Sequence, residues 1–235
     1  YKISEKKNLA MENDRKELIK KYFEERNNKV SSESHRSRDE LAENEVETIL
    51  YLGKKIYNFE FKENLKVLDV GCGDKFLENS FQQRGIKYFG IDIDHVDFNQ
   101  DKFPFEDDSF DIIISLAVIE HISKPQNYLN EIKRIVNKSG FIFLSTPNWK
   151  YDYKNFFDDY THVKPYSFAS LSKILSDHGF QKIKLYPGLR KKPFWQYNLP
   201  FAEFFASILP FTGDAKYMPN FLKGKAKSIF ALARK

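Results

Sequence analysis

Lys66-Val67-Leu68-Asp69-Val70 reads as a buried strand that runs directly into Gly71-Cys72-Gly73, and a second apolar run, Tyr88-Phe89-Gly90-Ile91, ends on Asp92. A strand, a glycine turn and a carboxylate about 20 residues further on are what doubly wound folds use to hold an anion and a ribose diol. Here the interval from Gly71 to Asp92 is 21 residues. The dinucleotide fingerprint would need a third glycine at 76, where this chain has Phe76, so close helix packing around a pyrophosphate is disfavoured. Two glycines still let backbone N–H groups approach a smaller anion at a helix N-terminus. The pattern predicts an adenosyl cofactor whose anionic end is a carboxylate, as in methionine.

A second group able to do chemistry is Phe157-Asp158-Asp159-Tyr160-Thr161-His162-Val163-Lys164-Pro165-Tyr166. A histidine is neutral enough near pH 7 to take a proton from a hydroxyl, and close carboxylates raise its basicity. The same residues can equally form a loop hydrogen-bonded to itself through Thr161 and His162. His35 with Arg36 and Arg38 could meet a phosphate, but the surrounding 31–38 segment is polar throughout and reads as a solvated linker. No Cys/His cluster has metal-ligand spacing, so no metal site is expected.

Taken in order, Val67-Leu68-Asp69-Val70-Gly71-Cys72-Gly73, Gly90-Ile91-Asp92, Phe103-Pro104-Phe105-Glu106-Asp107-Asp108-Ser109-Phe110-Asp111, Ile119-Glu120-His121-Ile122 and Glu131 to Gly140 resemble the class I S-adenosylmethionine-dependent methyltransferases over roughly residues 60–187. The resemblance implies that Gly71, Cys72, Gly73, Asp92 and Ile93 hold S-adenosylmethionine, with Asp69 orienting the glycine loop and the ligand's ammonium. It implies an adenine contact from Asp97 or Asn99, with Asp101 a third option, and backbone and apolar contact from Leu116 and Ala117. Glu120-His121 resembles the family pair that opens the next loop, where His121 either faces substrate or is structural. Two departures are Lys75 in place of a third glycine and Lys138-Ser139-Gly140-Phe141 in place of Lys-Pro-Gly-Gly. Residues 157–166 resemble a segment of methyltransferases attached to bacterial surface-polysaccharide pathways. Ser115-Leu116-Ala117-Val118 is not the Asn-Pro-Pro-Tyr of enzymes that methylate amino groups of DNA or protein glutamine, so DNA is not an expected partner.

Around these residues strands and helices alternate: strands at 66–70, 88–92, 96–98, 111–115 and 141–145, helices at 76–84 and 126–136. This alternation predicts an α/β, Rossmann-like doubly wound sheet with ligands beyond the carboxyl ends of the strands. Ser167 can N-cap a helix over 168–178 that ends at Gly179. Strands at 183–186 and 228–233 complete seven strands, the last antiparallel. N-terminal helices over 11–26 and 39–57 form a cap at 1–58, and residues 59–235 form the methyltransferase domain, with an insertion at about 188–227. Phe201, Phe204, Phe205, Ile208 and Leu209 share one helix face in that insertion.

The chain has 235 residues and a net charge of +5, but residues 181–235 hold eleven Lys/Arg against Glu203 and Asp214, so the basic character is C-terminal. Prolines at 193, 200 and 210 and Glu203 argue against a spanning helix there. An apolar face followed by Lys223, Lys225 and Lys227 can instead rest on anionic lipid as a peripheral contact. One cysteine and a charged N-terminal segment lead to a cytoplasmic expectation, peripheral to the inner face of the membrane at most. The expected activity is O-methylation of a small molecule, sugar or glycan precursor, with His162 and His121 shaping the acceptor side. The alternatives are a quinone or lipid-like acceptor, which the apolar insertion suits, and a scaffold that binds cofactor without catalysis. Nothing in the sequence indicates an oligomeric state.

Overall fold

A computed structural model describes residues 17–18, 21–22, 38–188, 208–209, 211 and 225–235. The helix expected over 11–26, apart from residues 17, 18, 21 and 22, lies outside the described residues. So do His35 with Arg36 and most of the 188–227 insertion, including Phe201, Phe204, Phe205 and Lys223.

The core is a six-stranded sheet in the order β2-β1-β3-β4-β6-β5. Its strands are β1 (Lys66–Val70), β2 (Lys87–Ile91), β3 (Phe110–Leu116), β4 (Val136–Pro147), β5 (Gln181–Gly188) and β6 (Ser228–Arg234). β1 pairs in parallel with β2 and β3, and β3 with β4, while β6 runs antiparallel to both of its neighbours. Six strands replace the expected seven because Val96, Asp97 and Phe98 form no strand. Their polar neighbours fold the chain into a turn: the Asp97 carboxylate accepts the Asn99 backbone N–H at 3.0 Å, and Asp101 accepts the Asp97 N–H at 2.8 Å. A side chain that satisfies its own backbone competes with a sheet ladder.

Strand alternation sorts the apolar residues onto two faces. Ile112 and Ile114 of β3, Phe141 and Phe143 of β4 and Phe230 and Leu232 of β6 face α1 (Arg38–Tyr57) and α2 (Glu78–Gln82), meeting Val46, Ile49, Leu52 and Phe81. Ile113, Ile142, Leu144, Ile229 and Ala231 face the other way, onto Leu129, Ile132 and Ile135 of α3 (Pro125–Ile135) and Leu171 and Leu175 of α5 (Phe168–Asp177). Between β4 and α5 lies the short α4 (Trp149–Asp152). α1 buries Ala42, Val46, Ile49 and Leu52 at helical spacing, with Asp39 and Glu40 in its first turn and Lys54 and Lys55 in its last, the charge order that suits a helix dipole. α5 starts at a Ser167 capping box with Ser170 and stops before Gly179, which has φ +74°. No helix among the described residues is long and apolar enough to cross a membrane.

Arg134 on α3 holds the segment before β3 in place. Its guanidinium donates to Glu131, to Asp107 and to the carbonyls of Phe103 and Phe105 at 3.1 and 2.8 Å, while Glu131 accepts the Phe103 N–H at 2.8 Å. Only 17% of the Arg134 side chain and 12% of that of Glu131 are exposed, so water replaces these bonds poorly. Arg134→Ala should cost about 3 kcal/mol in urea unfolding, because it leaves the largely buried Glu131 carboxylate without its counter-charge and removes the guanidinium bonds to two carbonyls. Arg134→Lys should recover less than half, since an ammonium cannot reproduce the planar fork.

Candidate functional site

The strand order turns between β1 and β3, so the carboxyl ends of β1, β2, β3 and β4 open onto a common edge. Gly71, φ +82°, leaves β1 there, and a Cβ on it would stand 2.3 Å from Val118 Cγ2. Gly73, φ +51°, has nothing within 4 Å of its own Cβ position, so its bare face looks into open space. A ligand's carboxylate or ribose can therefore approach the backbone at Gly73, while Gly71 is compelled by packing. Asp92 closes the loop from β2: its Oδ2 accepts the Gly73 N–H and its Oδ1 the Ile93 N–H, both at 2.6 Å. Cys72 lies between the glycines and is buried. Burial, then the charges of Asp69 and Asp92, push its thiol up to about 12, so it is a neutral apolar wall rather than a nucleophile.

Asp69 is 2% exposed on β1 and accepts the Tyr88 hydroxyl at 2.7 Å. Burial pushes its carboxyl up to about 7 and the neighbouring Asp92 adds to this, against the opposing bond from Tyr88. A buried carboxyl under such strain is suited to a cationic ligand. The adenine candidates are otherwise engaged. Asp97 is 3% exposed and caps its own turn, also accepting the Asn99 and Gln100 side chains, while Asn99 accepts the Ser123 hydroxyl and the Lys124 N–H, each at 3.0 Å. Leu116 ends β3 half-buried, and Ala117 follows at φ +56°, exposed, its N–H on the Ser145 carbonyl.

Val118 leads into a 3₁₀ turn, Ile119–His121, that brings Glu120 and His121 to the same edge. Glu120 is fully buried and accepts the Thr146 hydroxyl at 3.0 Å, and its carbonyl accepts the N–H groups of Val163 and Lys164. The loop from 148 to 166 is thereby fastened over the turn, its ends joined by the Asn148 to Tyr166 bridge. It delivers His162, whose ring lies 4.7 Å from that of His121, centroid to centroid. The sequence-predicted histidines, 41 positions apart, thus form one cluster. Ligand atoms of Glu120, His121 and His162 lie within 4.8 Å of one another, close enough to hold a cation, a grouping that sequence spacing did not suggest. Two further partners were given no site role from sequence, where Thr161 figured only in a loop hydrogen-bonded to itself. Asp159, 8% exposed, accepts both the backbone N–H and the hydroxyl of Thr161, and Thr161 Oγ1 lies 2.9 Å from His121 Nδ1. Their signal was the run Asp159-Tyr160-Thr161, which places a hydroxyl two residues after an acid.

Beside the glycine loop a cavity of about 570 Å³ is lined by Arg38, Asp39, Asp74, Lys75 and Phe76 among others. Arg38 and Asp74 pair across it. Neither Gly73 nor Asp92 lines it, so it flanks the glycine loop rather than opening between the loop and Asp92.

Residues 33–185, well over half of the chain, match the sequence profile of the methyltransferase domain family. The chain belongs to that family, the class I S-adenosylmethionine-dependent methyltransferases. Among its relatives, a mitochondrial ubiquinone biosynthesis O-methyltransferase of Dictyostelium discoideum is 31% identical over 132 aligned residues, covering 40% of this chain and 41% of that protein. A ubiquinone biosynthesis O-methyltransferase of Pseudomonas aeruginosa is 30% identical over 106 residues, 35% of this chain and 44% of that one. The chain thus spans less than half the length of these curated relatives. A SAM-dependent methyltransferase from Archaeoglobus fulgidus superposes with a TM-score of 0.54 at 19% identity over 80% of this chain and 94% of the other, which shows a shared fold. S-adenosylmethionine is the cofactor of this methyltransferase. The open face at Gly73 and the buried, proton-holding Asp69 suit a ligand with a compact polar end and a positive charge.

A raised carboxyl pKa in the folded state has a definite sign. Between the unfolded value near 4 and the folded value of about 7, the folded chain keeps a proton that the unfolded chain releases, so rising pH removes stability. Asp69→Asn should therefore gain stability relative to the native methyltransferase as pH rises from 5 to 8. The gain should be on the order of 3 kcal/mol in denaturant titrations, and an unchanged difference would place the Asp69 proton elsewhere.

Proposed function

We propose that this methyltransferase moves the methyl group of S-adenosylmethionine to a hydroxyl oxygen of a small ring-bearing acceptor of quinol type. The observation that carries the reading is the histidine pair, wired to Asp159 and standing on the same sheet edge as the glycine loop and Asp92. Hydroxyls are poor nucleophiles until their proton is taken, and a positioned imidazole is the group suited to take it near neutral pH.

The cofactor supplies a methyl group on a positively charged sulfur. The protein's share is placement: in-line approach at about 3 to 3.5 Å is worth on the order of 7 to 11 kcal/mol, and a general base adds roughly 10² to 10⁴-fold. Gly71, Gly73 and Asp92 fix the cofactor end, with Asp92 receiving the ribose hydroxyls in addition to the loop N–H groups. Around His162 the chain offers Phe156 and the aromatic group Trp149, Tyr153 and Phe157, in which Trp149 packs edge-on against Phe157 at 6.0 Å. Tyr153 and Phe157 are more than half exposed. Such rings stack on a flat acceptor. Support for a quinol comes from the relatives' names. A second reading, a sugar or glycan precursor, is favoured by the resemblance of residues 157–166 to polysaccharide-linked enzymes, since aromatic faces also pack on sugar C–H groups.

Incubation with methyl-labelled cofactor and a panel of catechol or quinol compounds, with and without isoprenoid tails, and of nucleotide sugars should label the quinol class. Label on the sugars alone would select the second reading, and no label on any hydroxyl acceptor would overturn O-methylation. In calorimetry, Asp92→Ala should weaken S-adenosylhomocysteine binding by about 1.5 to 3 kcal/mol, as expected for a charge-assisted hydrogen bond.

A further inference from the structure

We propose that His121 is the imidazole that takes the acceptor's proton, and that Thr161 and Asp159 are positioning residues that hold its ring in the Nδ1–H tautomer. This deepens the O-methyl transfer proposed above and rests on it.

The argument follows the hydrogens. A threonine hydroxyl has one hydrogen and two lone pairs, and an ionised carboxylate can only accept. The Thr161 hydroxyl donates its hydrogen to Asp159 Oδ1, and the Thr161 N–H donates to the same oxygen at 3.0 Å. What the hydroxyl offers His121 Nδ1, 2.9 Å away, is therefore a lone pair. Two lone pairs repel, so Nδ1 carries the hydrogen and donates it to Thr161. A neutral imidazole has one N–H, which leaves the lone pair on Nε2. Burial would raise the Asp159 carboxyl, but the Thr161 hydroxyl and amide, followed by the two imidazoles, outweigh it and hold it below the ordinary carboxylate value. Two donors converging on one oxygen already make Asp159 Oδ1 an acceptor in this geometry.

His162 is disposed differently. Its Nδ1 lies 2.6 Å from the Phe156 carbonyl, which has no hydrogen to give, so Nδ1 donates there. Its Nε2 faces Asp159 Oδ2 at 3.7 Å, and its ring packs 4.5 Å from that of Phe156. Both nitrogens face oxygens of its own loop, the 3.7 Å approach to Asp159 Oδ2 being beyond hydrogen-bonding range. His121 belongs to the turn entered from Val118, which is packed against Gly71, and its backbone N–H bonds the Val118 carbonyl at 2.9 Å. Of the two rings it is the one built onto the cofactor loop.

In the step, a lone pair of the acceptor oxygen forms the new C–O bond. The S–C electron pair stays on sulfur, giving S-adenosylhomocysteine, and the hydroxyl proton passes to His121 Nε2. The resulting imidazolium is stabilised through Thr161 by the carboxylate of Asp159, as an orienting acid steadies a catalytic histidine elsewhere.

The wiring can be read without acceptor or cofactor. In a ¹⁵N-labelled chain at a pH where the ring is neutral, long-range ¹H–¹⁵N spectra should show His121 Nδ1 as the protonated nitrogen. Thr161→Ser should keep that state, while Thr161→Val and Asp159→Asn should shift it toward Nε2–H, the form a free imidazole prefers. An Nε2–H His121 in the native chain overturns the proposal whatever the activity. With an acceptor identified by the labelling panel, His121→Ala should lower kcat about 10² to 10⁴-fold with cofactor affinity unchanged. Thr161→Val should lower it roughly tenfold or more and Thr161→Ser should restore it, so equal losses in the two would reduce Thr161 to a packing residue and overturn its role. Full turnover by His121→Ala would overturn the base assignment. The Nδ1–H state with no label on any hydroxyl compound would overturn O-methylation and the base role together, while leaving the wiring in place.

Discussion

No side chain fits at position 71. Val118 occupies the space that a Cβ there would need, 2.3 Å away, and the φ of +82° is one that only glycine adopts without strain. That contact joins the two halves of the site. Gly71 opens the cofactor loop after β1, and Val118 opens the turn after β3 that carries Glu120 and His121. Because β1 and β3 are adjacent parallel strands in fixed register, Asp69 beside Ile114, their carboxyl ends cannot drift apart. The distance between the glycine loop and the turn that carries His121 is thus set by sheet geometry and one close contact, which suits a reaction driven by positioning.

The electrostatic design places carboxylates where their charge must be answered. Asp69 is answered by one hydroxyl only and holds its proton to about pH 7, whereas Asp159, with two bonds from Thr161 and two imidazoles nearby, sits below the ordinary value. The same chemical group is pushed up by burial at Asp69 and held down by its hydrogen-bond donors at Asp159. A cationic ligand beside Asp69 would favour its ionised form, and the imidazolium proposed at His121 would face the charge of Asp159.

Local and short-range signals in the sequence carried most of the fold. The β1 strand and its glycine turn, the Ser167 cap and the Gly179 stop all depend on residues within a few positions of each other, and each stands where the pattern placed it. The expected strand at 96–98 failed for a local reason too: Asp97 and Asp101 satisfy the backbone of their own turn, a use of acids that apolar spacing around Val96 and Phe98 concealed. What could not be read were bonds between residues far apart in the chain. Arg134 reaches the Phe103 and Phe105 carbonyls from α3, and Thr161 reaches His121 across 40 positions. Sequence marked His121 and His162 as separate candidates. Their tautomers follow only once the oxygen opposite each nitrogen is known.

The two halves of the site are built from different materials, and this bears on what varies. The cofactor half is mostly backbone: glycine conformations, two N–H groups on Asp92 and parallel strand ends, all set by the fold. The histidine half is mostly side chain, carried on the turn at 119–121 and the loop from 148 to 166 fastened over it. Its base is rigid, held by the Asn148 to Tyr166 bridge, by Val163 and Lys164 on the Glu120 carbonyl, and by Asn148 on the Ala226 and Lys227 carbonyls. Its outer rings, Tyr153, Phe157 and Tyr160, are each more than half exposed and contribute little to that base. On the function proposed above, a fixed foundation under an exposed aromatic rim would let one fold keep its histidine while the rim changed, because specificity resides in the site rather than in the fold. The bonds from Asp159 through Thr161 to His121 lie on the fixed side of that boundary, and the exposed rings lie on the other.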